Sequence, residues 1–231
     1  MKIKSESELQ SATRKFIKRL RGKRPPRTLT LVNAGEDAAD TIARVLGMNV
    51  PLPNKHEAED LKEIYSLIRW GRLYPGEAPF RSIHPNEMDN VFGEEEEGQL
   101  EPGTVSEASY GTLLVHAADQ LKTDDLRRLS TVHDTRMTEV IVKGYVIDVL
   151  ADPRLWILSV DDNQFEPYPY EAPVPGQKSF YLRTRPGRAK DIQREMTRLG
   201  WDSSIGEVWD IEHWSDYDPD NLLGRWKRIR K

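Results

Sequence analysis

The sequence predicts an α/β fold with a parallel sheet, extended by a small C-terminal α+β (β-α-β) appendage. Three observations predict it. Short apolar and β-branched runs at 27–33, 111–116 and 155–160 alternate with amphipathic stretches at 38–46, 56–70 and 123–133. That spacing suits parallel strands joined by crossover helices. After a polar, proline- and tyrosine-rich stretch at 161–177 the pattern restarts, as strand 179–184, helix 187–199 and strand 205–211. The chain of 231 residues is also long enough to bury a core without covalent staples.

Taken in order, residues 7–21 form a basic helix. Leu9, Ala12, Phe16, Ile17 and Leu20 recur at helical spacing, with Arg14, Lys15, Lys18 and Arg19 around them. Gly22 through Pro26 stop it. Strand 27–33 follows, then a turn from Ala34 to Asp37, then helix 38–46 with Ile42, Val45 and Leu46 inward. Pro51 and Pro53 separate it from helix 56–70. From Gly71 to Tyr110 the sequence reads as one long irregular segment, broken by prolines and carrying the run Glu94 to Glu97. Strand 111–116 leads to helix 123–133, with Thr123 as its N-cap. Thr138 to Val149 and Leu155 to Val160 read as two further strands. The organisation is therefore a basic helix at 1–27, an α/β core at 28–165, a linker at 166–178 and the appendage at 179–231.

Cysteine is absent, which excludes disulfides, thiolate zinc sites, iron–sulfur clusters and cysteine nucleophiles. No run approaches 18 apolar residues and no apolar core follows the first basic residues. A cytoplasmic protein without membrane contact is expected.

The net charge of −4 conceals an asymmetry. Residues 1–27 hold ten Lys/Arg and two Glu, and residues 225–231 hold five basic and no acidic residues. Residues 28–224 keep 19 basic and 36 acidic residues, a net of −17. Basic ends on an acidic body suggest a polyanion partner, or association of tails with bodies. The candidate nucleic-acid contacts are Arg14, Lys15, Lys18, Arg19, Arg21, Lys23, Arg24, Arg225, Lys227, Arg228 and Arg230, with Trp226 placed to stack on a base. In the appendage, Arg183, Arg185, Arg188, Lys190 and Arg194 gather near a strand–helix junction.

The order strand, turn, helix, excursion, strand, helix, strand is that of a P-loop α/β domain. Its phosphate loop reads G-x-x-x-x-G-K-[ST], where glycines let backbone amides surround phosphates and the lysine reaches the outer ones. The equivalent eight residues are Ala34-Gly35-Glu36-Asp37-Ala38-Ala39-Asp40-Thr41. Ala39 replaces the second glycine, Asp40 replaces the lysine, and only Thr41 stays in place. A carboxylate there repels a phosphate about 4 Å away by on the order of 1–4 kcal/mol. In Gly111-Thr-Leu-Leu-Val-His116-Ala117, His116 and Ala117 stand where a Walker B strand carries the acids that hold Mg²⁺ and activate water.

Five segments follow one another in order: Pro79-Phe-Arg-Ser-Ile-His-Pro85, Val91-Phe-Gly93, Gly98-Gln-Leu-Glu-Pro-Gly-Thr-Val-Ser-Glu-Ala108, Gly111-Thr-Leu-Leu-Val115 and Leu126-Arg-Arg-Leu129. The series resembles the magnesium chelatase subunit I and ComM branch of AAA+ ATPases over about residues 27–165. The resemblance implies a P-loop-like AAA+ core, a hairpin at Val140 to Tyr145 and a sensor strand ending near Asp162 or Asn163. Relatives of that kind form rings by placing an arginine in a neighbour's nucleotide site; with no nucleotide to contact, ring formation loses its main reason here but not its surfaces. The resemblance also implies a degenerate nucleotide site at Ala34, Gly35, Ala39, Asp40, Thr41, His116, Ala117 and Asp162. A degenerate subunit that assembles with an active one is known in that family.

The leading reading is a non-catalytic, pseudo-ATPase scaffold or assembly subunit. It has no cofactor, no metal and no catalytic residues, it takes a protein partner or a second copy, and its basic ends contact nucleic acid. A different reading is an enzyme using His116, Asp119 and His133 for metal-assisted or acid–base chemistry. A third is an interaction protein whose resemblance is coincidental. A parallel five-stranded sheet with strand 111–115 beside strand 28–32 separates the first from the third. Asp216, Asp218 and Asp220 lack the glycine and closing Glu of a calcium loop and read as a solvated loop.

Overall fold

In the computed structural model, which describes residues 1–67, 78–161 and 189–211, the apolar runs form one parallel sheet. In chain order the elements are β1 (Lys2–Ile3), α1 (Glu6–Leu20), β2 (Thr28–Val32), α2 (Gly35–Gly47), α3 (Lys55–Leu67), β3 (Phe80–Ile83), β4 (Glu94–Glu96), β5 (Gln99–Glu101), α4 (Thr104–Glu107), β6 (Thr112–Val115), α5 (Thr123–Thr135), β7 (Met137–Val142), β8 (Tyr145–Leu150), β9 (Leu155–Val160), α6 (Ala189–Leu199) and β10 (Glu207–Ile211). The six-stranded sheet runs β1-β10-β2-β9-β6-β3, with each neighbouring pair parallel.

Every residue of β2, β6 and β9 is buried, as continuous apolar strands require when helices cover both faces. Alternation divides each strand between two cores. Leu29, Leu31, Leu155 and Ile157 face α1 and α2 with Phe16, Leu20, Ile42 and Leu46. Trp156, Leu158 and Val160 face the other layer with Leu126, Leu129, Ile192, Met196 and Trp201. The polar positions of β2 are satisfied on that second face. Thr30 Oγ1 donates to the Ile205 carbonyl at 3.0 Å, and Thr28 Oγ1 lies 3.0 Å from His133 Nε2.

Numbered along the chain, the five longer strands stand across the sheet as 5-1-4-3-2. This is the arrangement of a P-loop, AAA+-like core. Strand 111–115 does not lie beside strand 28–32 as expected. β9 pairs with both and separates them.

Several other expectations need correction. The helix 187–199 and the strand 205–211 exist, as α6 and β10, but they are not a separate appendage. β10 pairs with β2 from Glu207↔Leu29 to Asp210↔Val32, and Val208, Trp209, Asp210 and Ile211 are all buried. A serine cluster fastens the connection. Ser130 Oγ accepts from the backbone N–H groups of Asp202 and Ser203, and Ser203 Oγ donates to the Ser130 carbonyl. The strand expected at 179–184, the linker 166–178, Trp214 and the tail 225–231 lie outside the described residues. The basic helix, too, is integral: α1 buries Leu9, Phe16 and Leu20, and β1 ahead of it pairs with β10.

The segment 71–110 is not irregular where it is described. It holds β3, the β4–β5 hairpin and α4. Glu97 and Gly98 turn that hairpin with φ of 51° and 78°. The stretch 138–149 is a second hairpin, β7–β8, because Lys143 and Gly144 take φ of 50° and 81°. Consecutive left-handed residues suit the twist of a two-residue hairpin turn. The N-cap of helix 123–133 lies one residue earlier than expected. Lys122 is the N-cap and Thr123 lies within the helix.

Candidate functional site

Parallel α/β sheets bind ligands outside the carboxyl ends of their strands. A cavity of about 650 Å³ opens there, lined by Asn33, Gly35, Glu36, His84, Pro85, Asn86, His116, Ala117, Asp119, Gln120, Ser159, Val160 and Asp161. Four strands deliver these residues: Asn33 directly follows β2, His84 follows β3, His116 follows β6 and Asp161 follows β9.

The phosphate-loop positions do not form a loop. Only Asn33 and Ala34 separate β2 from α2. Asn33 has φ of 58° and its N–H still bonds to the Val160 carbonyl at 2.9 Å, extending the sheet. Gly35, with φ of 67°, is already the first helical residue. The chain thus reverses within one tight turn, and residues 35–41 lie in the body of α2. Ala39 is in the core, Thr41 is buried, and Asp40 binds Arg44 one turn on at 2.6 Å. The expected turn from Ala34 to Asp37 is therefore helical from Gly35 onward. Acidic Glu36 and Asp37 occupy the first turn, where the helix dipole favours negative charge.

On the facing wall, the His84 and His116 rings stack with centroids 4.1 Å apart and planes 13° from parallel. His84 Nδ1 lies 3.7 Å from Glu36 Oε1. Burial, and after it the neighbouring His84, lowers the His116 pKa from its ordinary 6.5, against the pull of Glu36, Asp40 and Glu87. Its Nδ1 is buried with no hydrogen-bond partner among the described residues. Ala117 then takes the left-handed conformation, φ 41° and ψ 50°, and turns the chain into Ala118–Gln120. Asp119 Oδ1 accepts from the Asp161 N–H at 3.1 Å, while Oδ2 is buried without a partner there. Burial raises the Asp119 pKa, and the backbone hydrogen bonds act the other way. Among the described residues, the cavity wall carries Glu36, Asp119 and Asp161 and no lysine or arginine.

The fold brings Gly35, His116, Ala117 and Asp119 together and leaves His133 elsewhere. His133 bonds Thr28 near the start of β2 and Asp134 at 2.9 Å. Thr28 is level with Trp156, whereas His116 follows the residue level with Leu158. Three residues of strand, about 10 Å, separate those levels. The cluster of His116, Asp119 and His133 is not formed, and no group of three or more metal-binding side chains exists among the described residues. Burial is the first cause of a lowered His133 pKa, so it is a core histidine between Trp156 and Trp201. Asp162 lies outside the described residues, as do Arg225, Lys227, Arg228 and Arg230. Arg14, Lys15, Lys18, Arg19, Arg21, Lys23 and Arg24 are all exposed on α1 and the loop after it. Arg19 also pairs with Glu207.

Sequence reasoning passed over His84, Asn33 and Asn86. Only Asn33 offered a signal, by position: it directly follows the apolar strand Thr28–Val32, where carboxyl-end residues gather, whereas β3 ahead of His84 carries Arg81 and Ser82.

No family model matches the chain, and no curated protein matches it. Among solved structures, NtrX from Brucella abortus is similar at 14% identity and TM-score 0.45, over 65% of this chain and 30% of that one. Its complexes with ATP and with ADP are similar at 16% and 15% identity, each with TM-score 0.45 and over 68% of this chain. The chain spans about 30% of the length of these structures. No helix among the described residues is long and apolar enough to cross a membrane. On its strand order, the chain is an α/β protein with a P-loop, AAA+-like core.

Proposed function

We propose that this chain is a non-catalytic, AAA+-like scaffold or assembly subunit that has given up nucleotide. One observation carries the reading: α2 begins at Gly35 with only Asn33 and Ala34 between it and β2, so no loop is left to wrap around phosphates, and the first turn that remains carries Glu36 and Asp37. The wall chemistry agrees. Glu36, Asp119 and Asp161 face the cavity where a nucleotide site needs Lys and Mg²⁺, and His116 takes the place of a metal-holding acid. Magnesium chelatase subunit I and ComM are the branch whose motif order this sequence resembles, and a degenerate subunit beside an active one is the arrangement that resemblance suggests.

Two surfaces are assigned to partners. The exposed basic residues of α1 and its following loop contact nucleic acid. The outer face of the β7–β8 hairpin carries Ile141 and Val146, paired across the strands and 64% and 63% exposed, and Tyr145 at the turn is 75% exposed. Exposed apolar side chains grouped in this way suit a protein partner or a second copy. A hydrolysis assay with radiolabelled ATP tests the main reading. Release of phosphate no faster than the buffer blank is expected, while turnover lost on Thr41→Ala would refute it.

His116 Nδ1 and Asp119 Oδ2, both buried and without a partner among the described residues, favour a second reading of acid–base chemistry on a small molecule. It proceeds without His133.

A further inference from the structure

At the opposite end of the sheet lies a second cleft, of about 400 Å³, lined by Leu20, Arg21, Gly22, Pro25, Arg27, Val50, Pro51, Leu52, Arg136, Asp152 and Arg154. Four guanidinium groups converge on it from four separate places. Arg21 follows α1, Arg27 precedes β2, Arg136 caps α5 and Arg154 precedes β9.

Their partners leave positive charge over. Arg27 Nη2 lies 2.9 Å from Asp152 Oδ1, and Arg136 Nη1 lies 3.7 Å from Asp152 Oδ2, so one carboxylate serves two cations. Arg154 pairs with Glu57 and donates to the carbonyls of Pro51 and Leu52. Among the described residues, Arg21 Nη2 donates to the neutral Asn49 Oδ1, at 2.7 Å, and to no carboxylate. Asp134 also acts on Arg27 from outside the cleft. Counting Asp152, Glu57 and Asp134 against four arginines, the cleft is net positive among the described residues. Burial disfavours the cation on Arg27, Asp152 supports it, and the charge of Arg136 opposes it less strongly.

The surroundings indicate which anion. Lys23 and Arg24, exposed in the loop between α1 and β2, continue the positive surface away from the cleft. Exposed Pro25 and Leu52 give it an apolar rim suited to a sugar or base. A concave site with an apolar lip fits a splayed single strand better than the stiff backbone of a duplex. We propose that the basal cleft of Arg21, Arg27, Arg136 and Arg154 holds a backbone phosphate of single-stranded nucleic acid, with the strand continuing over Lys23 and Arg24. This rests on the reading that the basic surface contacts nucleic acid.

The test is fluorescence anisotropy with a labelled single-stranded oligonucleotide on the full chain, at several salt concentrations. Arg136→Gln and Arg21→Gln remove cleft cations that carry little of the packing. Arg14→Gln with Lys15→Gln is the comparison on the outer face of α1. Thermal melts confirm that each variant is folded. Each cleft variant is expected to weaken binding about fivefold or more and to flatten the salt dependence by roughly one phosphate contact. Wild-type binding that the cleft variants leave intact, while the α1 double variant weakens it, overturns the cleft and keeps the nucleic-acid reading. No binding by the wild type overturns both. Equal competition by polyglutamate of matched charge makes the cleft a site for acidic peptide, and inorganic phosphate competing as well as the oligonucleotide makes it a site for the free ion. Either result overturns the proposal.

Discussion

His84 and His116 stack at 4.1 Å across the carboxyl ends of β3 and β6, so two rings fill the wall where a P-loop site needs a metal-holding carboxylate. His116 is 4% exposed and its Nδ1 is unpartnered, which makes protonation there costly.

Stability should therefore depend on pH through this ring and His133. Both have pKa values lowered from an ordinary 6.5, chiefly by burial. Below pH 6.5 the unfolded chain takes up protons that the folded chain refuses, so stability falls as pH falls. Each ring contributes up to about 1.4 kcal/mol per pH unit in that window. Asp119, its pKa raised by burial, acts oppositely, because its proton is retained in the folded state. Denaturant titrations between pH 5 and 7 (about the range in which histidine changes charge) should show the loss, and His133→Gln should reduce its slope. A flat profile would mean that both rings titrate as if exposed.

The last helix and strand should melt with the rest. Ser130 accepts from the N–H groups of Asp202 and Ser203, and β10 lies inside the sheet. Calorimetry should give one cooperative transition, and Ser130→Ala should cost about 1–3 kcal/mol by orphaning buried donors. Two transitions, with only one moved by Ser130→Ala, would restore a separate appendage.

Two glycines should differ sharply on substitution. A Cβ on Gly206, at φ 63°, would sit 2.0 Å from the Thr28 carbonyl oxygen, whereas one on Gly144, at φ 81°, meets nothing within 4 Å. Gly144→Ala should cost about 1–2 kcal/mol, for the left-handed backbone alone. Gly206→Ala should cost more, because β2 and β10 must part. Chemical denaturation of the two variants ranks them, and equal losses would contradict the close approach.

The β7–β8 hairpin should be asymmetric in the same assay. Val140 is 3% exposed, and its immediate neighbour Ile141 is 64% exposed on the opposite face. Val140→Ser should lose about 2 kcal/mol or more, while Ile141→Ser should stay within about 0.5 kcal/mol. Similar losses at both sites would mean that the outer face is covered within the chain.

Much of the fold was legible because its strands are doubly covered. Continuous apolar runs such as 155–160 can be little else, and β2, β6 and β9 follow from them. β10 was placed wrongly because a strand's own pattern does not name its neighbour. Its Val208, Trp209 and Ile211 fit a small sheet as readily as a large one. β3 was missed because Phe80-Arg-Ser-Ile83 is short and carries Arg81, whose charge is met by Glu107. The β4–β5 hairpin hid in glutamates, where turn geometry rather than hydrophobicity sets the structure, while the turn at Lys143-Gly144 was legible through the resemblance, which implied a hairpin at Val140 to Tyr145. In the site, it was legible that residues 34–41 carry no lysine and no second glycine of a phosphate-loop pattern, but the tightness of the turn was not. That tightness depends on Asn33 taking a positive φ, which an Asn permits without requiring. The basal arginines stayed hidden because they are far apart in sequence and meet only at the start of the strands.

Isothermal calorimetry of the purified chain with Mg·ATP tests the central claim most directly. A closed turn beside Glu36 and Asp119 predicts no binding heat above dilution at any nucleotide concentration that cells contain. Tight binding that Thr41→Ala abolishes would contradict it, because the phosphates would then be held where the helix now stands.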